Sequence, residues 1–337
     1  MKFLKMTSAL LAAASLLSLS SCGKLAPDDA STGGAGFVTE APGNTGGTEG
    51  NTPGTPSQGS SGGSTTQNGG KVTEVTDFSF LADKTGRFSD VAGGDIYDCW
   101  YPGKVTRDLT TGEVTYNWDR AADTLAYLEK YGGIYRGDET SKVCYLTFDC
   151  GYEYRTAEYP DGVTVAILDV LKEKGVKGTF FVTGDYVESE WQTIQRMLDE
   201  GHTVGTHTMH HRHQVELTPE EFVAEIMDNE KLLKSKIPNA PDMIFYRPPE
   251  GSANEKTLAL AQKMGLTTVF WSATQPDYNT DNQPLPATTL ENDKKSLHNG
   301  CVYLLHAVST TNAQILGDLI DYIQGEGYEI KLLEPQN

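Results

Sequence analysis

His207-Thr-Met-His-His211 places two imidazoles four residues apart. One neutral nitrogen holds a divalent cation weakly, and two held together hold it far better. The stretch has company that could use such a cation. Upstream, Leu146-Thr-Phe-Asp149-Cys150-Gly151 is an apolar strand ending in a carboxylate, a thiol and a glycine. Downstream lie Arg247-Pro-Pro-Glu250-Gly251, then Trp271, Asp277-Tyr278 and Leu304-Leu-His306. Hydrolysis of an amide needs an activated water, a stabilised oxyanion and a protonated leaving nitrogen. A metal can polarise the carbonyl and lower the pKa of its bound water. Together these segments read as a metal-dependent hydrolase site.

Residues so scattered need elements that bring them together. From Val143 onward, strand and helix patterns alternate. β-Rich runs fall at 143–148, 179–183, 203–206, 243–246, 267–271, 301–306 and 328–332. Between them, Val163, Ile167, Val170 and Leu171 form one helical stripe, stopped by Gly175. Trp191, Ile194 and Leu198 form another, read as core and stopped by Gly201. Thr218-Pro-Glu-Glu221 is a capping box with proline in the first turn. Further helices are expected near 254–264, 290–297 and 312–324. Such alternation predicts an α/β fold whose parallel sheet is closed, or nearly closed, as a barrel. Asp149, His207, Arg247, Trp271 and His306 each end a run. In βα barrels those ends converge on one rim, where active sites form.

The first 22 residues read as a processing signal. Lys2 and Lys5 precede an apolar run from Ala9 to Leu19, too short to span a membrane. The run ends Leu19-Ser-Ser-Cys22-Gly23, which resembles the lipobox of bacterial lipoproteins. That resemblance implies lipidation at Cys22 and an extracytoplasmic protein anchored to the cell membrane. Residues 23–70 are rich in Gly, Ser, Thr, Pro and Asn, a flexible tether with coil dimensions of roughly 40 Å. Residues 71–142 read as an N-terminal extension packing on the barrel. Ala121, Leu125 and Leu128 share a helical face there, and Trp100, Tyr101, Tyr116, Trp118 and Tyr135 supply aromatic surface. Residues 143–335 form the barrel domain.

The chain has 46 acidic against 27 basic residues, a net charge of −19. Without the leader and its two lysines the balance is 25 − 46 = −21. Such a surface repels nucleic acid and anionic membrane, and favours a neutral or weakly charged substrate. Cys99, Cys144, Cys150 and Cys301 match no zinc-ribbon spacing. Cys144 and Cys301 sit in apolar runs and read as small buried hydrophobes. His202 reads as structural, His210 as facing away, His213 as rim or solvent, and His298 as surface. Asp185 could cap a helix or reach the rim.

The order Thr147-Phe-Asp-Cys-Gly151, His207-Thr-Met-His-His211, Arg247-Pro-Pro-Glu-Gly251, Asp277-Tyr278 and Leu304-Leu-His306 resembles the polysaccharide deacetylases. These are also called the NodB-homology domain or carbohydrate esterase family 4. The resemblance runs from about Lys142 to the C-terminus. It implies a distorted (β/α)7 barrel and metal-dependent removal of acetyl groups from N-acetylated sugars. By the same resemblance His207 and His211 are metal ligands and Asp149 is the general base, held by Arg247. His306 is the general acid, oriented by Asp277. The backbone N–H of Glu250 adds to the oxyanion site, and Trp271 and Leu304 wall the acetyl pocket. Cys150 stands where the family usually has a second Asp as third ligand. It either binds as thiolate or fills space, leaving two histidines and waters. The expected cation is zinc first, with cobalt, manganese or nickel as alternatives.

A narrower likeness lies in Tyr152-Glu153, Phe270-Trp-Ser272, His306-Ala-Val-Ser309, Asn117-Trp118, Leu128-Glu-Lys-Tyr131 and Tyr135-Arg-Gly137. These are similar to the delta-lactam-forming peptidoglycan deacetylases. That branch implies peptidoglycan glycan strands as partner and N-acetylmuramic acid stripped of its peptide as substrate. Its freed amine closes a lactam tied to spore cortex. Glu250 departs from the branch, which often has a basic residue there to meet the lactyl carboxylate, and Arg155 is the substitute. The alternatives are N-acetylglucosamine in peptidoglycan or chitin-like oligomers, and a non-catalytic wall-binding lipoprotein. The chain is expected to act as a monomer.

Overall fold

β-Branched and aromatic residues crowd the expected runs, and backbone pairing assembles those runs into one parallel sheet. The computed structural model describes residues 70–88, 98–117 and 122–335. The leader with Cys22, the linker up to residue 69, and Trp118 lie outside them. A hairpin of β1 (Lys104–Arg107) and β2 (Val114–Asn117) comes first, followed by α1 (Ala122–Lys130). The barrel then runs β3 (Val143–Cys150), α2 (Val163–Lys174), β4 (Thr179–Val182), α3 (Gly184–Asp199), β5 (Thr203–Thr206) and α4 (Pro219–Lys236). It continues with β6 (Phe245–Tyr246), α5 (Glu255–Lys263), β7 (Thr267–Thr268), β8 (Ala273–Thr274), α6 (Pro286–Ser296) and β9 (Cys301–His306). The last elements are α7 (Thr310–Gly325) and β10 (Glu329–Ile330).

The strand order is β7-β6-β5-β4-β3-β9-β8, with β10 pairing β3 off this path. The run expected at 267–271 is therefore split. Its first part pairs with β6, and β8, just beyond it, pairs with β9. Ile134 lies parallel to Val269 between the two parts: its N–H donates to Thr268 O, and Phe270 N–H donates to Ile134 O. Ser272 then anchors the chain to β9 through Val302, using its backbone N–H and its hydroxyl. One bent segment thus joins both edges of the sheet, and the fold is a distorted (β/α)7 barrel.

Alternation along β3 sorts its residues between two compartments. Cys144, Leu146, Phe148 and Cys150 join the apolar layer shared with α2, α3 and α7. Thr147 and Asp149 carry the hydrogen bonds to Arg247 inside the ring. The helices stop where expected: Gly175 ends α2 in the left-handed region at φ 68°. At the start of α4, Thr218 Oγ1 accepts from Glu221 N–H and Glu221 Oε2 accepts from Thr218 N–H. A cap of this kind contributes about 1 kcal/mol. α3 is capped by Thr183, whose hydroxyl accepts from Tyr186 N–H, so Asp185 is not the cap.

His202 is buried and takes the Gly178 N–H at Nδ1. His298 is also buried, which corrects the surface assignment. The chain turns inward after the charged α6, Nδ1 donates to Ser296 O, and the Tyr116 ring stands edge-on to the imidazole. The described part of the extension belongs to the same compact unit as the barrel. Cys99 and Arg87 bridge to Ser252 and Asn254, and Trp100 is 1% exposed. Trp100 Nε1–H donates to Trp271 O at 2.9 Å, and Lys130 and Tyr131 both reach Glu255. The four described cysteines are buried, Cys144 and Cys301 lying at the same register on β3 and β9.

Candidate active site

Asp149, next to last in β3, stands at the same register as His306 on β9 and Phe181 on β4. Neighbours at one register point to one face of a sheet, so carboxylate and imidazole meet without any loop to bring them. Asp149 Oδ1 accepts from Arg247 Nη1 at 2.7 Å, and Oδ2 lies 3.5 Å from His207 Nε2. Arg247 follows β6 and is fully buried. Its Nη2 donates to Thr147 Oγ1 at 2.7 Å and to Phe270 O, its Nε donates to Val269 O, and the guanidinium lies 4.2 Å over the Phe181 ring. Burial alone would raise the Asp149 pKa. The guanidinium outweighs it, with His207 and His306 adding to the effect, and the carboxyl is held below the usual range.

His207 follows β5. Its Nδ1–H donates to Arg247 O at 2.8 Å, because a carbonyl can only accept. The lone pair therefore sits on Nε2, on the Asp149 side. Burial lowers its pKa, and Asp149 only partly opposes that. Burial and the neighbouring His207 push His211 down to about 4. The two rings stand edge to face, 4.8 Å between centroids. The turn joining them is strained: Thr208 and His211 have φ of 69° and 53°, and Glu250 across the site has 57°. Left-handed backbone in non-glycine residues is costly and gathers at functional sites.

Two neutral imidazoles, with the base candidate Asp149 beside them, are donors that fit a borderline divalent cation. Among the described residues no three or more of His, Cys, Asp and Glu are gathered closely enough to hold one by themselves. Cys150 does not complete such a set. Strand alternation turns it away from Asp149 into the apolar layer behind the sheet, where it is fully buried. Burial, then the Glu153 and Asp149 carboxylates, push its thiol well above the usual range. It fills core space, so the thiolate ligand expectation is corrected.

His306 Nδ1–H donates to Asp277 Oδ1 at 2.7 Å, and its backbone N–H donates to Asp277 Oδ2 at 2.9 Å. Burial works against the imidazolium, but Asp277 outweighs it and raises the His306 pKa. Asn312 fixes the pair: its Nδ2 donates to Asp277 Oδ2 and to His306 O. Tyr278 stands edge-on to the His306 ring, 5.8 Å between centroids. Trp271 and Leu304 are buried in the apolar cluster that also holds Phe181 and Val302. Glu250 is exposed, with Oε2 3.9 Å from His213 Nε2. His213 sits at the rim against Ser252 and Cys99. His210 faces outward onto Glu225. Arg155 is clamped onto Glu190 by both terminal nitrogens, at 3.0 and 2.7 Å.

The sequence reading missed Thr147 and Asn312 as site residues. Alternation from Asp149 places Thr147 on the inner face. A buried amide beside Ala313 and Leu316 in the apolar stripe of α7 marks Asn312.

Residues 136–269 match the polysaccharide deacetylase family profile. The chain is 39% identical over 217 residues to the peptidoglycan-N-acetylmuramic acid deacetylase PdaA of Bacillus subtilis, covering 64% of this chain and 79% of that protein. It is 28% identical over 236 residues to a peptidoglycan-N-acetylglucosamine deacetylase of Bacillus cereus, covering 67% and 81%. The solved structure of Bacillus subtilis PdaA, a family 4 carbohydrate esterase, superposes with a TM-score of 0.62 at 34% identity, over 69% of this chain and 94% of that one. A barrel that sets Asp149 beside His306, on a chain so related, is that of a hydrolase, and the protein belongs to the polysaccharide deacetylase family, carbohydrate esterase family 4.

Proposed function

We propose that this protein removes N-acetyl groups from peptidoglycan glycan strands, using a divalent cation held by His207 and His211, and that its substrate is N-acetylmuramic acid freed of its peptide. The observation that carries the reading is Asp149 and His306 at one register, with the imidazole pair beside the carboxylate. When bound, the cation, zinc first, supplies carbonyl polarisation and a more acidic water. Asp149 takes the proton of the attacking water, and Arg247 keeps that carboxylate ionised and aimed. As the amide C–N bond breaks, His306 gives a proton to the leaving nitrogen from Nε2, since Asp277 occupies Nδ1. Asp277 and Asn312 keep that ring oriented. The Glu250 backbone N–H, on its left-handed residue, adds to oxyanion stabilisation. Trp271 and Leu304 shield the acetyl methyl from water. Acetate leaves, and the freed amine can close on the lactyl carboxyl as a δ-lactam, the carboxyl C–O bond breaking and water leaving.

One observation favours N-acetylglucosamine instead. Arg155 is paired with Glu190, and Glu250 is acidic, so neither offers a free cation to a lactyl carboxylate. Peptide-free peptidoglycan incubated with the protein, with and without chelator, separates the readings. Muramic δ-lactam supports the first, glucosamine supports the second, and no acetate from either sugar overturns both. We also propose that a lipid on Cys22 anchors the chain outside the cytoplasm; a Cys22→Ser chain that is still lipidated and membrane-bound would overturn Cys22 as the anchor.

A further inference from the structure

The turn between His207 and His211 has a holder outside the catalytic group. α4 presents two buried side chains to it, one turn apart. Asn229 is fully buried, and its amide nitrogen lies 2.9 Å from Val182 O, 3.0 Å from Thr206 Oγ1 and 3.0 Å from Thr208 O. Glu225 is 4% exposed. Its Oε2 accepts the His210 backbone N–H at 2.8 Å, and its Oε1 accepts His210 Nδ1–H at 2.9 Å. Its own carbonyl accepts Met209 N–H at 2.9 Å. The remaining amides of the turn are also engaged: Thr208 N–H donates to Thr206 Oγ1, and His211 N–H to Thr208 Oγ1. From the other side, Gly184 N–H reaches the carbonyls of Thr208 and Met209.

A turn with two left-handed non-glycine residues persists only where its surroundings over-determine it. Here those surroundings come from α4. We infer that Glu225 and Asn229 are positioning residues, which hold residues 208–211 so that His210 is drawn outward and His211 stays beside His207, ready for a cation. Neither touches the reacting atoms. The inference rests on the cation reading above. Its rival is a turn shaped by the cation itself, with α4 merely packed behind it.

Three variants of the full chain test this: Glu225→Ala, Glu225→Gln and Asn229→Leu. Two quantities are read: zinc affinity by competition with a chromophoric chelator, and amide hydrogen exchange in metal-free protein at Thr208 and His211. Glu225 touches neither of those amides. In the wild type both should be protected without metal. Glu225→Ala and Asn229→Leu should bind zinc about 10–100-fold more weakly and exchange both amides faster. Glu225→Gln keeps an oxygen for the His210 N–H and should stay near wild type. Wild-type affinity and protection in folded Glu225→Ala would overturn the inference, even if Asn229→Leu fails to fold. Should the wild type itself bind neither zinc nor cobalt, manganese or nickel, the cation reading falls separately. Exchange at Thr208 and His211 then still decides the α4 clamp: faster in Glu225→Ala supports it, unchanged overturns it.

Discussion

Asp149 is pulled two ways: burial favours its neutral form, and Arg247 at 2.7 Å favours the anion and prevails. Asp149→Asn keeps the shape and removes the proposed base. Turnover should fall about 10²–10⁴-fold, the usual contribution of a general base, while metal content stays unchanged. His306 is the opposite case, an imidazole whose pKa burial would lower and Asp277 raises. The proposed mechanism needs it protonated, so the rate should be lost as pH rises through its raised pKa. Asp277→Asn removes the charge that raises it, and the alkaline limb of kcat/KM should therefore move to lower pH; a limb that stays in place would show that His306 is not the acid. The residues that meet at the site, Asp149, His207, Arg247 and His306, were legible because each ends an apolar run. Cys150 was legible in principle, since alternation from Asp149 turns it outward, but likeness to the family's usual Asp kept a ligand role open. The partners of Arg155 and His298 were not legible. Glu190 and Tyr116 meet them only through tertiary packing, which leaves no local pattern.

Elements set these residues in place through close approaches that leave no slack. Gly184 opens α3 against the turn of residues 208–211, and a Cβ there would sit 2.3 Å from Met209 Sδ and 2.6 Å from Met209 O. The backbone oxygen cannot step aside as a flexible side chain can. Gly184→Ala should destabilise the protein by about 1–3 kcal/mol in thermal denaturation, the usual cost of overpacking, and should weaken zinc binding as the turn shifts. Strand and helix alternation was readable from period alone, as were the α4 capping box and the Gly175 stop. The break between β7 and β8 was not. It depends on Ile134, far away in the chain, taking the pairing position beside Val269.

At the scale of the whole molecule, His202 and His298 are imidazoles buried in neutral form, each pushed down to about 4, first by burial. An unfolded chain binds their protons near pH 6.5, so folding excludes protons between about pH 6.5 and 4. Stability should be full above that window and fall as pH drops through it, by on the order of 3 kcal/mol per imidazole at most. Thermal midpoints measured from pH 7 to 4 check this, and His298→Gln should flatten part of the fall. The most direct test of the whole account joins residue to function: acetate release from peptide-free glycan by wild type and Asp149→Asn, with bound metal quantified in both. The expected result is equal metal and a loss of turnover of at least about 10²-fold in the variant. Acetate release by Asp149→Asn at the wild-type rate would contradict it.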